Sequence, residues 1–129
     1  MNKADILERL RALNWPAEDY WVVAGAAMVL YGLRPETRDL DLGCTTARAD
    51  ALAAAGVPFE EMSDGSGRRF TVSGDVEAFE NWLMDRVELV DGVPVVSLQG
   101  LREMKRALGR EKDLRDVARI DAFLQGGGV

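Results

Sequence analysis

Histidine is absent from this 129-residue chain, and cysteine occurs once, at Cys44. Without histidine, no serine or cysteine nucleophile can be activated by an imidazole, and imidazole metal ligands are excluded. A single cysteine forms neither an internal disulfide nor a structural zinc site, and it favours a reducing, cytoplasmic location. Any bound metal would therefore be a hard cation such as Mg²⁺ or Mn²⁺, held by carboxylate oxygens.

Long apolar runs are also missing, since no segment approaches the roughly 20 apolar residues that cross a bilayer. The opening residues, MNKADILERL, mix charged and apolar positions. We therefore expect an amphipathic helix there, without a signal peptide, and no membrane partner. The formal charge of −6 argues against nonspecific nucleic-acid binding, because phosphate contacts need a basic face.

The charge is unevenly distributed along the chain. Residues 102–119 hold seven Lys or Arg and four Asp or Glu, a net charge of +3, so the remainder is strongly acidic. Two interpretations stay open at this point. The cationic helices either face a phosphate-bearing ligand beside a metal site, or they are a solvated helix pair.

Apolar periodicity predicts alternating helices and strands. Helices are expected at 3–13, 25–32, 46–56, 97–108 and 111–124. Strands are expected at 20–24, at 38–43, on both sides of a turn within 68–83, and in a hairpin over 86–97 that turns at Asp91-Gly92. This interleaving predicts a single α/β (α+β) domain over residues 1–125, with a mixed central sheet flanked by helices, and a flexible glycine-rich tail at 126–129.

The segment GLRPETRDLDLG, residues 32–43, carries two acids in a strand-like pattern. Alternate strand residues share a face, so Asp39 and Asp41 are expected to project side by side. Two carboxylates this close repel each other, and a divalent cation would relieve the repulsion. The alternative is an exposed strand whose polar residues face water.

A glycine lies upstream, where the strand YWVVA passes into a helix of small residues. At such a turn Gly25 would let backbone N–H groups approach a phosphate, although many glycines there only make the turn. Together with the following acid pair, it gives the two halves of a nucleoside triphosphate site.

The sequence VVAGAAMVLYGLRPETRDLDLG resembles the signature of the nucleotidyltransferase (polymerase β-like) superfamily. That signature is a glycine-rich strand–helix turn, a D-x-D strand and a third carboxylate on a later strand. The chain is most similar to a small bacterial group that includes toxin-type nucleotidyltransferases of abortive-infection systems and minimal nucleotidyltransferases. The matching positions are Gly25, Arg34, Thr37, Asp39 and Asp41. The resemblance also implies a nucleotide-binding role for Ala26, next to Gly25 in this turn.

The C-terminal stretch LQGLREMKRALGREKDLRDVARI resembles the lysine-containing helix of that group, with a following arginine and Lys-Asp pair. The resemblance implies nucleotide-binding roles for Lys105, Arg110, Lys112 and Asp113. Lys105 lies at the edge of an apolar stripe, so it either extends toward solvent or reaches a phosphate. Asp113 falls within the stripe Leu114, Val117, Ile120 and Leu124, and needs a partner such as Lys105 or Arg110.

The resemblance implies an enzyme that transfers a nucleoside monophosphate from a nucleoside triphosphate to a hydroxyl and releases pyrophosphate. Two Mg²⁺ (or Mn²⁺) ions roughly 3.5–4 Å apart would clamp the attacking and leaving oxygens. Asp39 and Asp41 would bind both ions, together with a third acid on the next strand. Glu77 in VEA is the preferred third acid, and Asp75 and Glu80 are alternatives because the strand register could shift.

Two features depart from the family pattern. The family turn carries Gly-Gly or Gly-Ser, whereas Ala24 and Ala26 flank Gly25 here. The chain also has no room for an added acceptor-binding domain, so the acceptor (a small molecule, a protein or an RNA end) would bind on an open surface, a partner protein or a second copy. Two rival functions are a nucleotide-binding module that regulates a partner, as in toxin–antitoxin pairs, and an antibiotic nucleotidyltransferase.

Overall fold

A seven-stranded mixed sheet organises residues 1–126, which are the residues that this computed structural model describes. Its strands are β1 Tyr20–Val23, β2 Leu40–Cys44, β3 Phe59–Glu61, β4 Arg68–Ser73, β5 Val76–Glu80, β6 Val87–Val90 and β7 Val93–Val96. They lie in the order β3-β4-β5-β2-β1-β7-β6. The pairs β2–β5 and β1–β7 are parallel and the other four are antiparallel.

Five helices complete the described α/β domain: α1 Lys3–Leu13, α2 Ala24–Leu30, α3 Thr46–Ala54, α4 Leu98–Leu108 and α5 Glu111–Gly126. Their ends follow local chemistry. Asn2 and Asp5 form a capping box on α1, Ser97 caps the start of α4, and Gly109 ends α4 in a left-handed conformation. None of the helices within residues 1–126 combines the length and apolar character that a membrane crossing needs.

The predicted elements are largely confirmed. The helix at 3–13 and the hairpin over 86–97 agree with α1 and with β6–β7. Asp91 and Gly92 both have positive φ, 52° and 78°, as a two-residue hairpin turn requires. β3 was not predicted, because its three residues are all exposed and two of them are glutamates. It forms only by pairing with β4.

The predicted inner face of α5 is confirmed at Asp113, Val117 and Ile120 and wrong at Leu114 and Leu124, which are 53% and 46% exposed. Asp116 is buried in their stead. It can be buried because Lys105 and Arg34 pair with it on this side of the helix. The helix also reaches Gly126, so the predicted tail does not begin there, and its residues 127–129 lie outside the described part.

The centre of the sheet fixes one row of residues across four strands. Val23 lies opposite Asp41, Asp41 opposite Glu77, and Glu77 opposite Thr71. Neighbouring strands lie about 4.8 Å apart, so the sheet holds Asp41 and Glu77 close together.

Strand β2 is kept in place by a tryptophan that lies directly over a glycine. A Cβ added to Gly43 would be 1.9 Å from Nε1 of Trp21. That indole N–H donates a 2.8 Å hydrogen bond to the carbonyl of Trp82. Only glycine leaves room for this contact, so Trp21 can cover β2 two residues beyond Asp41.

We expect Gly43→Ala to lower the free energy of unfolding by about 2–4 kcal/mol, because Trp21 must move and its hydrogen bond is lost. Urea denaturation measures this change. Gly74→Ala is the matched control, since an added Cβ there meets no atom within 4 Å; its effect should stay within about 0.5 kcal/mol. Equal stability of the two variants would contradict the packing argument.

Candidate functional site

Three carboxylates, Asp39, Asp41 and Glu77, form what we call the acid centre. Asp41 lies in β2 and Glu77 directly opposite it in β5, and both are half-buried. Asp39 comes just before β2 and is exposed. The structure therefore brings together the two acids of D-x-D and the preferred third acid.

The acid centre is electrostatically unfavourable as it stands. Burial first, and then the negative charges of Glu77 and Asp39, raise the pKa of Asp41 to about 6, while the cationic Lys105 acts in the opposite direction. A carboxyl group with a raised pKa resists ionisation unless positive charge arrives. The four side chains are therefore close enough to act on one another.

The alternative third acids are engaged elsewhere. Asp75 accepts two hydrogen bonds from Arg9, at 2.7 and 2.6 Å, and lies in the turn before β5. The Glu80 side chain is 9% exposed and accepts hydrogen bonds from Arg68, which lower its pKa to about 2. Neither lies in the row with Asp41.

The turn after β1 packs tightly against the loop before β2. A Cβ on Gly25 would lie 2.6 Å from Oγ1 of Thr37 and 2.9 Å from Nη1 of Arg34. Glycine therefore permits this close approach, and a larger residue would displace the side-chain ends of Thr37 and Arg34. Ala26 is fully buried, so its side chain is not available to a ligand, in contrast to the role implied for it.

A buried charge network joins that loop to α4 and α5. Both carboxylate oxygens of Asp116 accept hydrogen bonds from Nη2 of Arg34, at 2.9 and 2.8 Å. Nζ of Lys105 lies 3.0 Å from Asp116 and 3.7 Å from Asp113. Asp113 is fully buried and also accepts a hydrogen bond from Arg110.

The network shows where Lys105 and Asp113 point. Lys105 is 7% exposed and does not extend into solvent. Asp113 pairs with both of its predicted partners; burial alone would raise the pKa of this carboxyl, but Arg110 and Lys105 outweigh burial and lower it. Asp116 was not predicted as a site residue. Its position three residues after Asp113, on the same helix face, was the available signal.

Beside the acid centre lies what we call the cationic cleft, with a volume of about 510 Å³. It is lined by Met1, Arg34, Glu36, Thr37, Arg38, Asp39 and Lys112. Three of these side chains are cationic and one, Asp39, belongs to the acid centre. Lys112, implicated by resemblance alone, thus shares a cleft with Arg34 and Thr37. Arg110 does not line it and is held by Asp113.

The donor set of the acid centre suits a hard cation. Its donors are carboxylate oxygens alone, which suit Mg²⁺ or Mn²⁺, and two of the three acids, Asp41 and Glu77, are half-buried. Among residues 1–126, however, no group of three or more Asp, Glu, Cys or His side chains is arranged as a ready metal cage. Nε of Arg69 lies 3.5 Å from Glu77, so Glu77 would exchange this ion pair for a cation.

No protein-family model, no curated protein and no solved structure matches this chain. The features that bear on function are therefore the acid centre, the cationic cleft and the sequence motifs that supply their residues.

Proposed function

We propose that the chain is a metal-dependent nucleotidyltransferase of the polymerase β-like type, which moves a nucleoside monophosphate from a nucleoside triphosphate to a hydroxyl acceptor. One observation carries the proposal. Asp41 and Glu77 lie opposite each other on adjacent parallel strands, with Asp39 beside them, at the border of a cleft that holds three cationic side chains. The carboxylates suit the metal ions, and the neighbouring cations suit the triphosphate that the metal ions bind.

The three cations of the cleft are of two kinds. Arg34 is held by Asp116, which also pairs with Lys105, so Arg34 is fixed in direction before a ligand arrives. Arg38 and Lys112 also line the cleft and are exposed. A held cation provides preorganised stabilisation of developing negative charge, whereas an exposed lysine can follow a leaving pyrophosphate.

When bound, Mg²⁺ would neutralise the triphosphate and favour in-line displacement at the α-phosphorus. Asp39, Asp41 and Glu77 would hold it. The contribution of the chain itself is geometric: β2 and β5 fix the separation of Asp41 from Glu77, and the lack of a side chain at Gly25 lets Thr37 and Arg34 lie against the adjoining turn.

Titrating Mg²⁺ with each nucleoside triphosphate, and following pyrophosphate release, tests the proposal. We expect release that needs the metal and that falls at least about 100-fold in Asp39→Asn, as removal of a metal-binding carboxylate implies. Asp5→Asn, in the capping box of α1, is the control and should retain activity. Metal-independent release, or full activity in Asp39→Asn, would contradict the site.

A second candidate function is a nucleotide-binding module without turnover, and the ion pair of Glu77 with Arg69 favours it. If that pair persists on binding, a nucleotide would be held by Asp39 and Asp41 without the third acid. The two functions differ in the effect of Glu77→Gln. In the enzyme this change stops pyrophosphate release, whereas in the module it leaves metal-dependent nucleotide affinity unchanged and no release occurs in either form.

A further inference from the structure

A second concave surface lies beyond Glu77, and we call it the aromatic groove. It has a volume of about 320 Å³ and is lined by Met62, Asp64, Ser66, Arg68, Phe79, Glu80, Asn81, Trp82 and Leu108. The rings of Phe79 and Trp82 meet edge to face, with centroids 5.0 Å apart. Leu108 and Met62 are 44% and 37% exposed, so apolar side chains border a groove that is open to solvent.

The position of the aromatic groove relative to the acid centre is set by the sheet. Phe79 follows Glu77 by two residues on β5, so the two side chains share a face of the sheet. The cationic cleft lies toward β1, where Gly25 contacts Thr37 and Arg34. The cationic cleft includes Asp39, two residues before Asp41, and the aromatic groove includes Phe79, two residues after Glu77, so the paired Asp41 and Glu77 lie between them along the two parallel strands.

We propose that the aromatic groove is the acceptor subsite of the nucleotidyl transfer, and that it selects a small hydroxyl compound with an aromatic or apolar body and no phosphate. This inference rests on the proposed function. In-line transfer requires the acceptor and the leaving pyrophosphate on opposite sides of the α-phosphorus. If the pyrophosphate leaves through the cationic cleft, the acceptor approaches from the groove.

The transfer step balances without any further reactant. The acceptor hydroxyl oxygen forms a bond to the α-phosphorus, and the bond from that phosphorus to the bridging oxygen breaks. Pyrophosphate leaves with the electron pair, and the hydroxyl proton is released to water.

The charges around the aromatic groove decide between acceptor classes. Its one arginine, Arg68, is already paired with both Glu80 and Asp50, at 2.8 Å each, so it offers little attraction to a phosphate. Asp64 lines the groove, and Glu61 lines the adjoining depression that shares Met62 and Arg68. A nucleic-acid end would bring its phosphates against these acids, whereas a neutral or cationic compound would not. A groove of this size takes a small molecule.

Binding of three phenols that differ only in charge tests the acceptor class without any nucleotide. The probes are tyrosol, tyramine and 4-hydroxyphenylacetate, which are neutral, cationic and anionic. NMR titration should shift the signals of Phe79 and Trp82 with tyrosol and tyramine, and the anionic probe should bind at least about threefold more weakly. Equal binding of all three, or shifts confined to other residues, would overturn the inference.

Leu108→Glu tests the place of binding, because it adds a charge to an exposed groove position without disturbing the core. It should weaken tyrosol binding roughly tenfold. Leu114→Glu is the matched control, since Leu114 is 53% exposed on α5 and does not line the groove; its tyrosol affinity should be unchanged. Equal tyrosol affinity in the two variants would overturn the groove assignment.

The same variants separate this inference from the proposed function. Leu108→Glu should raise the KM for tyrosol and leave the affinity for the metal-bound triphosphate unchanged. Nucleotide binding and pyrophosphate release that require an RNA oligonucleotide, and ignore all three phenols, would overturn the acceptor inference while keeping the proposed function. Failure to bind any nucleotide would overturn the proposed function, whatever the phenols do.

Discussion

Asp41→Asn is expected to make the folded protein more stable at neutral pH while it abolishes metal-dependent nucleotide binding. Burial and the neighbouring acids raise the pKa of Asp41 to about 6, so the folded state favours its protonated form. The stability contributed by that form is fully present below the ordinary pKa near 3.8 and is lost as the pH rises through about 6. Asparagine cannot ionise, so the variant keeps this stability as the pH rises.

The size of the gain in stability follows from the size of the pKa shift of Asp41. At pH 7 the free energy of unfolding of Asp41→Asn should exceed that of the wild type by about 1–3 kcal/mol, and the difference should shrink toward pH 4. Urea denaturation across this pH range measures it. Asp39→Asn is the control, because Asp39 is exposed and its replacement should change stability little.

The loss of metal-dependent nucleotide binding in Asp41→Asn is measured by thermal shift with Mg²⁺ and a nucleoside triphosphate. The wild type should be stabilised by the pair of ligands, and Asp41→Asn should not respond. A variant that is less stable than the wild type at pH 7 would contradict the electrostatic account of the acid centre. Stabilisation of the variant by the ligands, equal to that of the wild type, would contradict the site.

Asp116→Asn is expected to lower the free energy of unfolding by about 3–5 kcal/mol, the range for breaking a buried ion pair. Asp116 is 4% exposed and is shared by Arg34 and Lys105, so its loss leaves two cations with too little negative charge. Nucleotide affinity should fall as well in whatever fraction remains folded, because Arg34 is no longer directed toward the cationic cleft. Chemical denaturation and nucleotide titration measure the two effects separately.

Helix α5 supplies its own matched control. Asp121 accepts hydrogen bonds from Arg102 much as Asp116 does from Arg34, but its side chain is 38% exposed. Asp121→Asn should therefore cost no more than about 1 kcal/mol. Equal costs for the two replacements would mean that burial does not set the strength of the Asp116 network.

The elements that local patterns determine were predictable from the sequence. Asp91-Gly92 marks a hairpin turn and Ser97 a helix start, and both are found in the structure. The parts that depend on distant partners were not predictable. β3 needs β4 for its hydrogen bonds, and the inner face of α5 is set by cations from other elements.

The residues of the candidate site also fall into those that a local motif reveals and those that depend on distant partners. D-x-D and the glycine turn are contiguous motifs, so Asp39, Asp41 and Gly25 could be named from the sequence. The strand register distinguishes Glu77 from its two rivals, and only paired strands reveal a register. Asp116 shares the helix face of Asp113, which was a signal that it points inward, but the two cations that make it part of the site come from other elements and could not be read from the sequence.

The span between Arg34 and Asp116, 82 positions along the chain, has a consequence for how the protein is made. On the ribosome, the acid centre and the turn at Gly25 are synthesised long before the carboxylate that directs Arg34 and Lys105. Both cations therefore lack this counter-ion until α5 has emerged and docked. A nascent chain that stops short of α5 would carry the acids of D-x-D but no arginine held against the glycine turn.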